Sequence, residues 1–228
     1  MGRRFVMGDL HGAYRALKQC LERSAFDYAD DELLFLGDVC DGWPDTKQCI
    51  DELLRIKHLT FILGNHDWWM LKWMKTGWVG EMWYDQGGKS TITSYGNEAV
   101  PEEHIALIEA AQHFVIREGT LFVHAGIREN VDIKYQNTDT FLWDRSLVIH
   151  ALEHYDNPER RLTVYDTIYV GHTPIKGNKP MKACEVWLMD TGAGWSGVLS
   201  MMDLQNGEIF TSDPVPSLYP GVTGRTKK

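Results

Sequence analysis

Asp9, His11, Asp38, Asn65, His66, His124 and His172 are the side chains in this sequence best equipped for chemistry. Each sits in a glycine-flanked polar loop directly after a short apolar, strand-like run. The loops read Gly8-Asp9-Leu10-His11-Gly12, Gly37-Asp38-Val39-Cys40-Asp41, Gly64-Asn65-His66-Asp67, His124-Ala125-Gly126 and Gly171-His172-Thr173. Imidazole mixed with carboxylate suits borderline divalent cations such as Mn²⁺, Fe²⁺ or Zn²⁺, whereas Ca²⁺ prefers oxygen alone. Two such ions about 4 Å apart can share one carboxylate, and a water held between them is acidified toward a pKa of ~7, giving a nucleophile at neutral pH.

Each residue alone has a plainer reading. Asp9 would serve as the N-cap of a helix starting near Ala13. His124 would be a core histidine with a satisfied hydrogen bond, and Asn65 a turn residue. Five polar clusters, each at a strand end, do not share such an explanation, and together they read as one site.

The elements that must position these loops alternate in type. Strand-like runs at 4–7, 33–36 and 60–63 are followed by helical patterns over 13–23, from 44 onward, and after the third loop. His11, Asp38 and Asn65 follow one another at equal intervals, which suits one βαβ unit per ligand group and places the three loops along one sheet edge. This alternation predicts an α/β fold with a largely parallel sheet, whose ligands gather outside the strand ends. The second half is richer in strands: 114–117 and 121–123 flank Glu118-Gly119-Thr120, a tight turn, and 167–170, 186–189 and 198–204 follow, with Asn206-Gly207 as a hairpin signal. A helix over 101–111 separates the halves. We expect one catalytic domain over 1–211 and an irregular or disordered Pro- and Gly-rich tail over 212–228.

With 228 residues and 43% hydrophobic content, the chain can bury a sizeable core. Its formal net charge of −9 argues against long nucleic acids and anionic membranes as partners. No apolar run reaches transmembrane or signal-peptide length. Cys20, Cys40, Cys49 and Cys184 have no CxxC spacing, so they read as buried free thiols of a cytoplasmic protein. The oligomeric state is left open.

The five ordered motifs resemble those of the calcineurin-like metallophosphoesterases. Trp83 with Gly87-Gly88, Leu142-Trp143-Asp144-Arg145, Gly171-His172-Thr173-Pro174 and Met189-Asp190-Thr191-Gly192-Ala193 resemble, more narrowly, the bacterial and phage lambda-type serine/threonine phosphatases. The resemblance implies a four-layer α/β/β/α sandwich of two mixed β-sheets flanked by helices. It also implies two divalent metal ions, Mn²⁺ first, with Fe, Zn or Ni as alternatives. Asp9 and His11 would hold the first ion, Asp38 would bridge, and Asn65, His124 and His172 would complete the second. His66 would be the general acid and Asp41 would hydrogen-bond it, fixing its tautomer and raising its pKa. Arg145 would grip the phosphate through its planar fork.

Two positions depart from that pattern. Gly42, followed by Trp43, stands where the serine/threonine phosphatases carry a phosphate-contacting arginine, and Arg128 or Lys89 are the candidates to compensate. Asp67 replaces the glutamate usual after the histidine. Trp68, Trp69, Trp73, Trp78 and Trp83 cluster just after the third motif. They read first as a helix packed into the core, and second as an aromatic wall able to stack on a base, with Gly87-Gly88 beginning a flexible substrate-facing loop. His58, His104, His113, His150 and His154 lack a motif and read as surface or structural.

The function expected is a phosphomonoesterase acting on phosphoserine or phosphothreonine, through a dimetal-bridging hydroxide with His66 protonating the leaving group. A dinucleoside polyphosphate hydrolase or cyclic-nucleotide phosphodiesterase shares the same motifs. The non-enzyme alternative is a metal-binding regulatory module, whose signature would be a missing ligand or a missing acid.

Overall fold

In a computed structural model, which describes residues 2–225, strands and helices alternate through the first third of the chain. Strand β1 (Arg4–Met7) leads to helix α1 (Tyr14–Arg23), β2 (Glu32–Phe35) to α2 (Thr46–Leu53), and β3 (His58–Phe61) to α3 (Asn65–Thr76). β1, β2 and β3 pair in parallel, as the alternation predicts. Three short helical segments follow, α4 (Glu81–Trp83), a wide π-turn over Tyr84–Gly88, and α5 (Lys89–Tyr95), then α6 (Glu102–Glu109).

The second half builds a separate sheet. β4 (Phe114–Arg117) and β5 (Thr120–Val123) form a hairpin, with Glu118 and Gly119 both at positive φ in the tight turn. Helices α7 (Thr138–Trp143) and α8 (Ser146–Glu153) precede β6 (Thr167–Val170), β7 (Met181–Ala183) and β8 (Val186–Leu188). The chain then returns to the first sheet through β9 (Ser200–Asp203) and β10 (Ile209–Thr211), joined at Gly207, whose N–H donates to the Asp203 carbonyl.

The result is two five-stranded mixed sheets, ordered β10-β9-β1-β2-β3 and β4-β5-β6-β8-β7. Flanked by helices, they form the α/β/β/α sandwich expected. Side-chain alternation explains the stacking. Phe5, Met7, Leu33 and Phe35 point into the helix-covered core, while Val6 and Leu34 between them point into the inter-sheet core. In the other sheet Leu121, Val123, Ile168 and Val170 lie with the α7–α8 core, while Phe122 and Tyr169 face the first sheet and stack at 5.3 Å. Strands buried on both faces read as continuous apolar runs for this reason.

The segment from Ser212, expected to be irregular, carries a short helix α9 (Val215–Leu218). Tyr219 is buried, stacks on Trp43 at 5.1 Å and donates its hydroxyl proton to Asp45 at 2.7 Å. An aromatic ring with a polar handle supplies the anchoring that the Pro- and Gly-rich composition hides. The last part of that tail, 226–228, lies outside the described residues. Among the described residues no helix is long and apolar enough to cross a membrane. All four cysteines are free and buried.

Candidate active site

The loops after β1, β2, β3, β5, β6 and β8 leave the carboxyl ends of six strands and meet where the two sheets abut. Asp9, His11, Asp38, Asp41, Asn65, His66, His124 and His172 are all brought together there, each buried. Backbone geometry is forced at this junction: His11, Asp38, Asp41 and His172 all adopt positive φ. That conformation costs roughly 1–2 kcal/mol for a residue with a Cβ, so tight surroundings must hold it. Part of the holding comes from Asp67, whose carboxylate accepts the N–H groups of Asp38, Val39 and Gly64 at 2.7–2.9 Å. The shorter Asp in place of Glu thereby ties the second loop to the start of α3.

Two overlapping groups have the composition of a cation site. The ligand atoms of Asp9, His11 and Asp38 lie within 4.8 Å of one another, as do those of Asp38, His124 and His172, so Asp38 belongs to both. The hydrogen bonds around the imidazoles bear on whether cations fit. His11 Nδ1 donates to the Cys40 carbonyl at 2.9 Å and His124 Nδ1 to the Leu36 carbonyl at 2.7 Å. In the neutral rings this leaves both Nε2 atoms as lone pairs, a pattern typical of metal-binding histidines. His11 Nε2 lies 3.7 Å from Asp38 Oδ2 and 3.9 Å from Asp9 Oδ2. His124 Nε2 lies 3.5 Å from Asp38 Oδ2 and 3.0 Å from Asn65 Oδ1. Acceptors thus face acceptors across van der Waals distances. A divalent cation relieves that arrangement, and the residues fit it.

Titration behaviour agrees with the crowding. Burial, then the neighbouring Asp190 and Asp38 charges, raises Asp9 well above the usual carboxylate range, and burial lifts Asp38 to about 7. Burial pushes His124 down to about 4, and His11 and His172 downward too, keeping the imidazoles neutral and able to ligate.

Asp41 and His66 form a pair at the edge of these groups. His66 Nδ1 lies 2.7 Å from Asp41 Oδ2. The same oxygen accepts Trp83 Nε1–H at 2.6 Å, and Oδ1 accepts the Thr91 hydroxyl at 2.6 Å. The expectation that Asp41 raises the His66 pKa needs correction. Burial, reinforced by the positive charge of Arg225, pushes His66 well below the ordinary histidine value. Burial lifts Asp41 to about 7, even against the two donors. Desolvation disfavours charge on both partners and wins here.

Arg145 is exposed between α7 and α8, and its positive charge lowers the pKa of Asp38, His124 and His172. Arg128 is exposed, with Nε 3.8 Å from Asp144 Oδ2, and Lys89 is exposed at the start of α5.

The tryptophans divide between the two readings. Trp83 is fully buried under Trp73 and Trp78 and holds Asp41. Trp69 lies edge-on to His66 at 5.3 Å and to Trp143 at 4.8 Å, and Trp143 reaches His172 at 6.2 Å, so an aromatic edge does border the site. Gly87, at φ +117°, kinks the chain between helical segments, and a Cβ on it would come within 2.8 Å of the Asp41 backbone, so the missing side chain lets this segment pack onto the second motif.

Sequence reading missed Thr91, Trp83 as a partner of Asp41, and Arg225. Only Trp83 carried a signal, its neighbouring glycine pair. Arg225 begins a basic Arg-Thr-Lys-Lys run after a Pro- and Gly-rich stretch and matches no motif, yet its guanidinium lies 3.3 Å from His11 Nε2.

With two sheets, six converging strand ends and this donor set, the fold and site define a metal-dependent phosphoesterase. Residues 2–194 match the calcineurin-like phosphoesterase family, and the chain belongs to it. It is 25% identical over 210 residues to serine/threonine-protein phosphatase 1 of Salmonella typhimurium, covering 88% of this chain and 91% of that one. It is also 25% identical over 281 residues to the symmetrical bis(5'-nucleosyl)-tetraphosphatase of Pseudomonas fluorescens, covering 95% and 97%. Among solved structures, one provisionally assigned as a diadenosine tetraphosphatase superposes with a TM-score of 0.70 at 20% identity over 93% of each chain. A Saccharomyces cerevisiae protein serine/threonine phosphatase gives 0.61 at 13% identity, over 98% of this chain and 82% of that one. Both share the fold. The chain is a hydrolytic phosphatase of this family.

Proposed function

We propose that this protein hydrolyses phosphate monoesters, with phosphoserine and phosphothreonine as the substrate class. Asp9 and His11 would hold one divalent cation, Asn65, His124 and His172 would hold another, and Asp38 would be available to both; Mn²⁺ is the first choice. When bound, the cations supply Lewis-acid charge and acidify a water for attack at neutral pH. The chain's own residues do the rest. Arg145 draws the phosphoryl oxygens through its fork and offsets their charge. His66 holds the proton destined for the leaving oxygen at Nε2, with Nδ1 accepting the hydrogen of Asp41, whose carboxyl is lifted to about 7 and passes that proton to Nδ1 as Nε2 gives up its own. Trp83 and Thr91 keep Asp41 oriented so that the imidazole cannot turn. The single observation that carries this reading is the sharing of Asp38 between two buried ligand groups beside the Asp41–His66 pair. A cytoplasmic setting suits four buried free thiols.

The test is turnover of p-nitrophenyl phosphate and of a phosphoserine peptide with Mn²⁺, before and after chelation. Metal-independent activity, or none with any divalent ion, would refute the proposal. A second reading, hydrolysis of dinucleoside polyphosphates, is favoured by the near-full-length likeness to a bis(5'-nucleosyl)-tetraphosphatase and by the Trp69–Trp143 edge, which could stack a base. Comparing kcat/KM on the phosphopeptide and on a dinucleoside tetraphosphate decides between the two.

A further inference from the structure

Gly42 leaves a gap beside His11. Its φ is +152°, and a Cβ there would sit 3.0 Å from the His11 carbonyl oxygen and 3.3 Å from Cγ of Arg225. The stem of Arg225 therefore lies over the spot a side chain on Gly42 would occupy, although 182 positions separate Gly42 from Gly224, the residue before it. The tail that delivers it is built in. Tyr219 stacks on Trp43, the residue next to Gly42, and Trp43 Nε1–H donates to the Ala193 carbonyl at 2.7 Å. A Cβ on Gly224 would meet the Trp43 ring at 2.7 Å, and the Arg225 N–H donates to the Gly194 carbonyl at 2.9 Å.

The head group is less fully engaged than the stem. It lies over the Trp195 ring at 4.8 Å, with Nη1 3.3 Å from His11 Nε2 and Nη2 3.4 Å from Gln86 Oε1. Nε is buried and has no hydrogen-bond partner among the described residues. A guanidinium offers five donors in a fixed fork, and among the described residues weak, neutral acceptors meet them. Its contact with His11 Nε2 uses an atom the proposed metal ligation also needs. Once a cation takes that lone pair, the fork must face something else, and a half-buried positive charge beside more positive charge calls for an anion. The cleft of about 490 Å³ that Arg225 borders, together with Pro44, Tyr84, Lys89 and Ser90, opens the position to solvent.

We propose that Arg225, carried on the anchored tail, is a phosphate-binding residue that replaces the arginine absent at position 42. It grips the phosphoryl group from the His11 side, and Arg145, exposed between α7 and α8, supplies the second fork. Resting on the phosphoesterase reading, this adds a specificity residue to the same site: the two forks together demand a terminal, dianionic phosphoryl group.

The test uses the full chain, with inorganic phosphate titrated calorimetrically into the Mn²⁺-loaded protein. Arg225→Ala should weaken phosphate binding by about 10- to 100-fold, as expected for losing a charge-assisted fork, with metal stoichiometry and melting temperature unchanged. Arg225→Lys should recover part of the loss. In turnover, KM for p-nitrophenyl phosphate should rise in Arg225→Ala, whereas Arg128→Ala should leave phosphate affinity within twofold of wild type. Unchanged or tighter phosphate binding in Arg225→Ala, higher kcat/KM in that variant (a tail that plugs the site), or an equal loss in Arg128→Ala would each overturn the proposal. Failure of the phosphoesterase reading looks different: a wild-type protein that loads metal and turns over no phosphate ester. The phosphate titration still decides the role of Arg225 in that case.

Discussion

At the scale of single residues, the site depends on pairs whose partners hold each other. Burial keeps His66 uncharged, so the ring can give up its Nε2 proton only as Asp41, 2.7 Å from Nδ1, replaces it. Replacing it in His66→Asn should lower kcat by about 10²- to 10⁴-fold, with two metal ions still bound, as read by steady-state kinetics and elemental analysis. A variant with lost metal and lost activity together would assign His66 a structural role instead. Trp83→Phe tests the support behind the pair. The ring stays in its pocket but its N–H to Asp41 disappears, and leaving a buried acceptor short of a donor should cost about 1–3 kcal/mol of stability in denaturant unfolding.

Elements set these residues by alternation and by the ties between strands. Leu34 is 1% exposed and sits between the two sheets, with Val6, Phe122 and Met202 in the same core. Leu34→Ala should lose about 2–5 kcal/mol of unfolding free energy, a core cavity cost that would also loosen the abutting loops. The edges respond to pH. Burial raises Asp31, but the Asp27 and Arg3 N–H groups and the Arg3 guanidinium outweigh it and hold its pKa below the usual value. Glu52 behaves alike: burial raises it, yet the Tyr28 hydroxyl, Lys18 and Arg55 bring it down. A depressed acid contributes stability that is complete above its unfolded pKa, about 4, and that fades as pH falls through the folded value. Melting temperature should therefore drop below pH ~4, and Asp31→Asn should flatten that limb.

For the whole molecule, the site is a concentration of buried carboxylates in a protein already at net charge −9. Cations that bind the folded chain alone must stabilise it by mass action, by about 2.7 kcal/mol at a hundredfold excess over Kd. Thermal unfolding with added Mn²⁺ should shift upward and chelation should reverse it. A melting curve indifferent to Mn²⁺, Zn²⁺ and Ni²⁺ would contradict metal binding at the Asp9–His172 cluster.

The order of the strand-ending motifs, the βαβ spacing of His11, Asp38 and Asn65, and the short apolar strands were all legible along the chain, because each is a pattern in the linear order of residues. The two hairpin turns at Glu118-Gly119 and Asn206-Gly207 were equally local. Helices α5, α7 and α8 and strand β7 were not distinguished, since short amphipathic segments carry weak periodicity. Gly87-Gly88 looked like a hinge because permissive residues serve flexibility and close packing alike, and only the backbone of Asp41 pressing against it shows which. The direction of the His66 shift, the Trp83 and Thr91 grip on Asp41, and the arrival of Arg225 over Gly42 needed the tertiary structure. Desolvation and long-range contact are properties of the space a residue occupies, and a chain written in one dimension assigns each residue its chemistry but not that space.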